Sequence, residues 1–297
     1  MIGNAARGAR LAFAPAAAAR QASGMTKTTI QRYAAFTDSP AGGNPAGVVL
    51  DASGLDDAAM LGIAAELGYS ETAFVTGRDG GRLRVRYFSP LTEIPFCGHA
   101  TVATAVALGP GDHLFVTNAG EVPVTVDTHG VATLTSVPPV VSELSGADLG
   151  ALLDALRWDA GDLDPELPPG FAYAGAYHPI LAVTTRKRLA ELDYDVPALK
   201  SLMTERGWTT VQLVFRDSAD TFDVRDPFPI GGVYEDPATG AAAAALGGYL
   251  RERGLVPDDA TLHLRQGDDL GRPSRITVRL VAGSPGVRVS GTAVPIS

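Results

Sequence analysis

Two segments of the chain have a helix's composition and no charged side chain on any face: GHATVATAVAL at 98–108 and PATGAAAAALGGYL at 237–250. A helix that is apolar all round has to be enclosed by protein, so the fold must wrap each of them. Neither is a membrane span, because both fall short of the ~20 apolar residues a bilayer requires, and Arg251 closes the second. The two segments resemble each other, and each follows an extended acidic loop. Two halves related by a pseudo-twofold axis are expected.

The surrounding pattern supplies strands for the wrapping. Ile30–Phe36, Thr72–Thr76 and Arg82–Phe88 read as strands, with a short one at Val48–Leu50, and Asp56–Leu67 reads as a helix with acids in its first turn and Gly68 at its end. Strands near 114–118, 122–127 and 131–137 follow the first apolar helix, which favours a mostly antiparallel sheet curled around it over a doubly wound parallel one. The second half repeats the order: a helix at 147–156, a strand at 180–184, a helix at 196–206, strands at 210–216 and 221–225, the helix Pro237–Arg253, and strands near 262–265, 276–281 and 287–290. The expected divisions are an N-terminal half at 26–137 and a C-terminal half at 138–297, whose last strand packs on the N-terminal half. Residues 1–25, with three arginines and no acid in the first 24, are expected to be a tail outside the fold, either transit-like or preceding a true start at Met25.

Composition narrows the function. With 24 Lys and Arg against 33 Asp and Glu the chain carries a net charge of −9, which opposes nucleic-acid or anionic-membrane binding through phosphate neutralisation. The single cysteine, Cys97, excludes an intramolecular disulfide, a Cys-rich zinc site and a mechanism with two thiols. No G-x-S-x-G, H-E-x-x-H, G-x-G-x-x-G or G-K-[ST] occurs, which removes the usual hydrolase, zincin, dinucleotide and P-loop readings.

The residues that carry chemistry cluster at the starts of the two apolar helices. Asp236–Pro237 fits an N-cap and N1 pair, and Asp236 reads equally as a cap alone. Gly98, Gly240 and Ala241 leave little side-chain bulk on the first turns, so a ligand or another backbone can come close. If the two N-termini face one another, their free N–H groups suit a carboxylate. Glu71, at the mouth of an apolar strand, is a candidate for proton transfer or a solvent-facing turn residue. His99 is a proton carrier or a structural histidine. Glu93 reads as a turn residue or an orienting carboxylate, and Asn44 as a turn former.

Taken together, GGNPAGVVL at 42–50, ELGYSETAFV at 66–75, YFSPLTEIPFCGHATVATAVAL at 87–108 and YEDPATGAAAAALGGYL at 234–250 resemble, in order, the PhzF-like (phenazine-biosynthesis) family. The resemblance runs from about residue 28 to the C-terminus. It implies an α/β fold of diaminopimelate-epimerase-like type, with the site in the cleft between two similar halves. It also implies a cofactor-free isomerase, similar to one that acts on a dihydro-hydroxyanthranilate, in which a glutamate shuttles a proton between substrate carbons. That glutamate matches Glu71, the family's site histidine His99 and its aspartate Asp236. Gly98 and Gly240 match the backbone donors to the substrate carboxylate, and Asn44 falls within the first matching segment. One departure stands out: the family pattern continues EDPATGS, and Ala241 replaces the serine.

The leading expectation is therefore a cytoplasmic, homodimeric isomerase with no cofactor and no metal, whose partner is a small carboxylate metabolite. Two rivals remain at this level. One is a catalytically weak acid-binding or scaffold protein that lost the serine hydroxyl. The other is an epimerase using Cys97 and one carboxyl; the epimerases of this fold use two cysteines, and here the second motif carries Pro237 in that region.

Overall fold

The computed structural model describes residues 28–297, so the tail expected at residues 1–25 lies outside the described residues. The first series of elements is β1 (Gln31–Ala35), β2 (Asn44–Val49), α1 (Asp57–Leu67), β3 (Glu71–Asp79), β4 (Arg82–Phe88), β5 (Glu93–Ile94), α2 (Gly98–Leu108), β6 (Gly111–Thr117), β7 (Gly120–Val126) and β8 (Ala132–Thr135). The second begins with β9 (Val140–Glu143), α3 (Gly146–Leu156), β10 (Gly170–Tyr173), β11 (Tyr177–Ala182), α4 (Arg186–Ala190), α5 (Val196–Arg206) and β12 (Gln212–Arg216). It continues with β13 (Thr221–Pro227), β14 (Glu235–Asp236), α6 (Gly240–Glu252), β15 (Thr261–Gln266), β16 (Ser274–Arg279), β17 (Arg288–Gly291) and β18 (Ala293–Pro295).

Strand pairing repeats between the series. The hairpin β1–β2 matches β10–β11. The parallel pair β2–β3 crosses over through α1, and β11–β12 through α4 and α5. The parallel pair β4–β6 crosses over through α2, and β13–β15 through α6. The antiparallel runs β6–β7–β8 and β15–β16–β17 then close the repeats. β9 opens the second series beside β10, the last strand of that series, β18, crosses to β1 of the first, and β8 and β17 pair across the axis. Most pairings are antiparallel, and the inner helices α2 and α6 each sit inside a curled sheet.

The wrapping meets the demand set by the uncharged helices. From His99 to Ala105 every residue of α2 is buried, and from Ala242 to Leu250 every residue of α6. Both helices share one core with the inner faces of the strands, through residues such as Tyr87, Phe115, Phe222 and Tyr249. The outer faces carry separate cores under α3–α5 and under α1. Among the described residues no helix is long and apolar enough to cross a membrane.

Two local expectations change. Asn44 is the first residue of β2, paired with Ala35, and not part of a turn. The second inner helix starts at Gly240 with Thr239 at its N-cap, three residues after Pro237, and Asp236 belongs to β14 opposite Asp226. Asp236 is thereby released from capping, because its carboxylate accepts side-chain donors and not helix N–H groups. The short elements β5, β9, β10, β14, β18 and α4 have no sequence expectation: two to five residues cannot display a period.

Candidate active site

The two inner helices begin face to face. A Cβ placed on Gly98 would lie 3.7 Å from the Cα of Gly240 and 4.0 Å from the amide nitrogen of Ala241, in ordinary contact with both. The caps separate these helices from the rest. The N-termini of α1, α3, α4 and α5 are closed by side-chain bonds from Asp56, Ser145, Thr185 and Asp195. At α2 and α6 the N-cap residues, Cys97 and Thr239, make no such bond. First-turn N–H groups left without a side-chain cap are donors for an anion, and two helix ends reinforce each other there.

Four polar side chains converge on this junction. Asn44 reaches from β2 to donate its amide to Asp236 Oδ1 at 2.8 Å and to the Ala238 carbonyl at 3.1 Å, and lies 3.2 Å from His99 Nδ1. The amide has two hydrogens, which the two shorter contacts take; the carboxylate on the other side of the ring only accepts, and so favours the tautomer with its proton on Nε2. That nitrogen faces Glu71 Oε2 at 3.4 Å, with the Ser70 hydroxyl at the same distance. Asp236 Oδ2 accepts from the Thr239 hydroxyl at 2.6 Å. Gln266 then locks the corner, donating to the Asp236 carbonyl at 2.8 Å and accepting the Thr239 N–H at 3.0 Å.

Burial tunes these groups. Glu71 is 9% exposed and Asp236 6%. Burial, reinforced by the charge of Glu71, pushes Asp236 up to about 7 against the pull of its Thr239 and Asn44 bonds. A carboxyl in that range holds or releases a proton near neutrality. Burial lowers His99, so the ring is neutral, although Glu71 beside it acts in the opposite direction. Burial and then the Glu71 charge push the Cys97 thiol well above its usual range, the reverse of an activated thiolate.

Glu71, Cys97 and His99 are the one set among the described residues whose ligand atoms, all within 4.8 Å of one another, could hold a metal ion. Their arrangement fits poorly. The Cys97 sulfur is nearer Nδ1 (3.3 Å) than Nε2 (3.9 Å), whereas Glu71 sits at Nε2. Thiol and carboxylate thus address different ring nitrogens, and a metal takes only one.

Of the residues singled out from the sequence, Asn44, Glu71, Gly98, His99, Asp236, Gly240 and Ala241 meet here. Glu93 lies elsewhere, held by Arg86 and Asn118. Asn44, read as a turn former, proves to be the link between the halves. Thr239 and Gln266 were not anticipated; Thr239 sits within the motif, but Gln266 has no local signal. At the start of α6 the N-cap position that Cys97 holds on α2 is occupied by Thr239.

A family model described as "Phenazine biosynthesis-like protein" matches residues 33–297. The chain is 35% identical to the "Uncharacterized isomerase YddE" of Escherichia coli K12, over 90% of this chain and 96% of that one. It is 30% identical to the trans-2,3-dihydro-3-hydroxyanthranilate isomerase of Pseudomonas fluorescens, over 81% and 86%. A crystal structure of a Bacillus anthracis PhzF-family phenazine biosynthesis protein superposes with a TM-score of 0.81 at 27% identity, covering 90% of this chain and 96% of the other. The architecture is the diaminopimelate-epimerase-like type.

Proposed function

The chain belongs to the phenazine biosynthesis-like (PhzF) family, and from that premise we propose that it is a cofactor-independent isomerase moving a proton between carbons of a small carboxylate. The observation that carries the reading is the convergence of Glu71, His99 and Asp236 on the facing, uncapped starts of α2 and α6.

In this reading the substrate carboxylate accepts hydrogen bonds from the first-turn N–H groups after Gly98 and Gly240. Glu71 takes a proton from the adjacent carbon skeleton, and the C–H electron pair enters the conjugated system. Return of a proton from Glu71 to a second carbon shifts the double bond and restores the carboxylate, so no co-reactant is consumed. The Nε2–H of His99 steadies the Glu71 carboxylate. Asn44 ties His99 to Asp236, whose proton is exchangeable near neutral pH. Exclusion of water by the two sheets strengthens each of these interactions.

The one-cysteine epimerase is disfavoured by the elevated thiol of Cys97 and by Thr239 at the opposing N-cap. Turnover in heavy water tests the proposal. Trans-2,3-dihydro-3-hydroxyanthranilate, the substrate of the Pseudomonas relative, and a panel of smaller unsaturated carboxylates are incubated with the wild type and Glu71→Gln. Isomerisation, or deuterium incorporation at carbon, by the wild type alone is expected. Equal incorporation by both proteins would remove Glu71 from the mechanism, and tight binding with no exchange by either would favour an acid-binding protein.

A further inference from the structure

The segments that lead into the two inner helices are built alike. EIPFCG at 93–98 and EDPATG at 235–240 set a glutamate, a proline and the opening glycine at the same spacing. Glu93 pairs with Phe88 across β4–β5, and Glu235 with Pro227 across β13–β14. Two residues before each of those partners, on the same face of its strand, stands an arginine, a diagonal neighbour within reach of a long side chain. Arg86 grips Glu93 at two points, donating from Nε to Oε1 at 2.7 Å and from Nη2 to Oε2 at 2.6 Å. Arg225 grips Glu235 in the same way, at 3.0 Å and 2.5 Å. Each half thus carries one clamp on the strand before its inner helix, and the proposed reaction uses neither.

The clamps differ in the residue that follows the glutamate. Adjacent residues of a strand point to opposite faces, so a glutamate held on the outer face sends the next side chain inward. In the first half that residue is Ile94, which packs on the core around the inner helices. In the second it is Asp236, received by Asn44 and Thr239. Arg225 is on the outer face, opposite Leu213 of the core under α3–α5, and its Nη1 also donates to the Leu189 and Ala190 carbonyls of α4 at 3.3 Å and 2.9 Å. The other titratable groups beside the pair are Asp269, 3.8 Å from Nη1, Arg186, which bonds that aspartate, and Tyr234.

β14 consists of two residues, both acids. A strand of that length fixes its own register weakly, and a slip of one residue would turn Glu235 into the junction and Asp236 away from it. The side chains of Arg225 and Glu235 are 7% and 0% exposed, so neither charge can leave the other without remaining buried and unpaired. We propose that Arg225 and Glu235 are positioning residues, a register lock that turns Asp236, and not its acidic neighbour, into the junction, an inference that rests on the reading of Asp236 as part of the active site. The first clamp is the internal control. Arg86–Glu93 has the same two-point geometry but directs an apolar side chain, so a purely structural role is common to both pairs, whereas action on Asp236 belongs to the second alone.

Arg225→Lys and Glu235→Asp keep each charge and lose the two-point grip; Arg86→Lys and Glu93→Asp are the matched changes in the first half. The full chain is labelled with 13C at aspartate carboxyls, and Asp236 is identified by its loss in Asp236→Asn and titrated by NMR without substrate. In the Arg225 and Glu235 variants the Asp236 midpoint is expected to fall from about 7 by about half a unit or more, as the carboxyl gains access to water. With a substrate, kcat falls about tenfold while KM changes less than about threefold. In the Arg86 and Glu93 variants the midpoint stays within about 0.2 of the wild type and kcat within about threefold, although the melting temperature falls in both sets. A midpoint that is unchanged or raised in a folded Arg225→Lys or Glu235→Asp protein would overturn the proposal. So would an equal fall in the first-half variants, the mark of a general loosening of the junction. Either second-half variant decides if the other does not fold. Because the titration needs no substrate, absence of turnover in every protein would count against the proposed function and leave this measurement standing.

Discussion

Asn44 and Asp236, 192 positions apart, are joined by a 2.8 Å hydrogen bond at the junction of the two inner helices. One amide group holds together residues from both halves, since it also touches His99 and the Ala238 carbonyl. Asn44→Ala leaves two buried acceptors without their donor, at about 1–3 kcal/mol. A fall in kcat of at least about tenfold is expected, with a loss of urea stability of that size. The Asp236 midpoint should move further up, because the Asn44 bond is one of the forces lowering it.

Asp236 makes stability depend on pH in a definite sense. Its carboxyl is raised from 3.8 to about 7 in the folded protein, so between those values the unfolded chain has released a proton that the native state keeps. Stability then falls as pH rises through this window and levels off above about 7, by on the order of 4 kcal/mol if the shift is realised in full. Asp236→Asn removes the titration. Urea unfolding from pH 4 to pH 8 should show the variant gaining on the wild type as pH rises; a constant difference would show that Asp236 does not carry the shift.

Ala241 is the second residue of α6 and partly exposed at the junction. Ala241→Ser adds a hydroxyl donor beside the N–H groups assigned to the ligand carboxylate. Tighter binding by about 5- to 100-fold is expected for a substrate turned over by the wild type, corresponding to about 1–3 kcal/mol. Calorimetric titration with that substrate measures it.

Gly98→Ala separates binding from stability. The added methyl would stand 3.7 Å from the Gly240 Cα, an ordinary contact, so the melting temperature should change by only a few degrees. The same methyl would come within 4.0 Å of the Ala241 nitrogen, a donor assigned above to the substrate carboxylate. KM is expected to rise at least about tenfold, the effect of blocking one donor to a charged group, and steady-state kinetics with thermal melts give both quantities.

Cys97→Ala should leave kcat within about threefold of the wild type, since a thiol raised by burial does not act as base. The loss of a buried sulfur costs about 1 kcal/mol of stability. Kinetics before and after iodoacetamide treatment complete the test: a collapse of activity in the alanine variant would restore the one-cysteine epimerase.

Much of the architecture is legible in local pattern. The two uncharged helices require enclosure by their composition alone. Within them, GHAT and PATG mark the small-residue turns at which the two helices begin. Element boundaries follow where capping residues are plain, as with Asp56 before α1 and Asp195 before α5. One fails: Asp236–Pro237 has the form of a helix start, yet α6 begins at Gly240, and the Asp236 carboxyl is held by Asn44 and Thr239.

The sequence by itself determined that two apolar helices must be wrapped and that acids, a histidine and glycines stand at their starts, because side-chain periodicity and composition act over a few neighbouring residues. Only the tertiary structure decided what those residues do to one another. The register of β2, the two facing N-termini and the crossing of β18 to β1 bring Asn44 to Asp236 and set Gln266 behind Thr239. Such contacts depend on where crossovers return the chain, and the burial they create is what raises Asp236 and keeps His99 neutral.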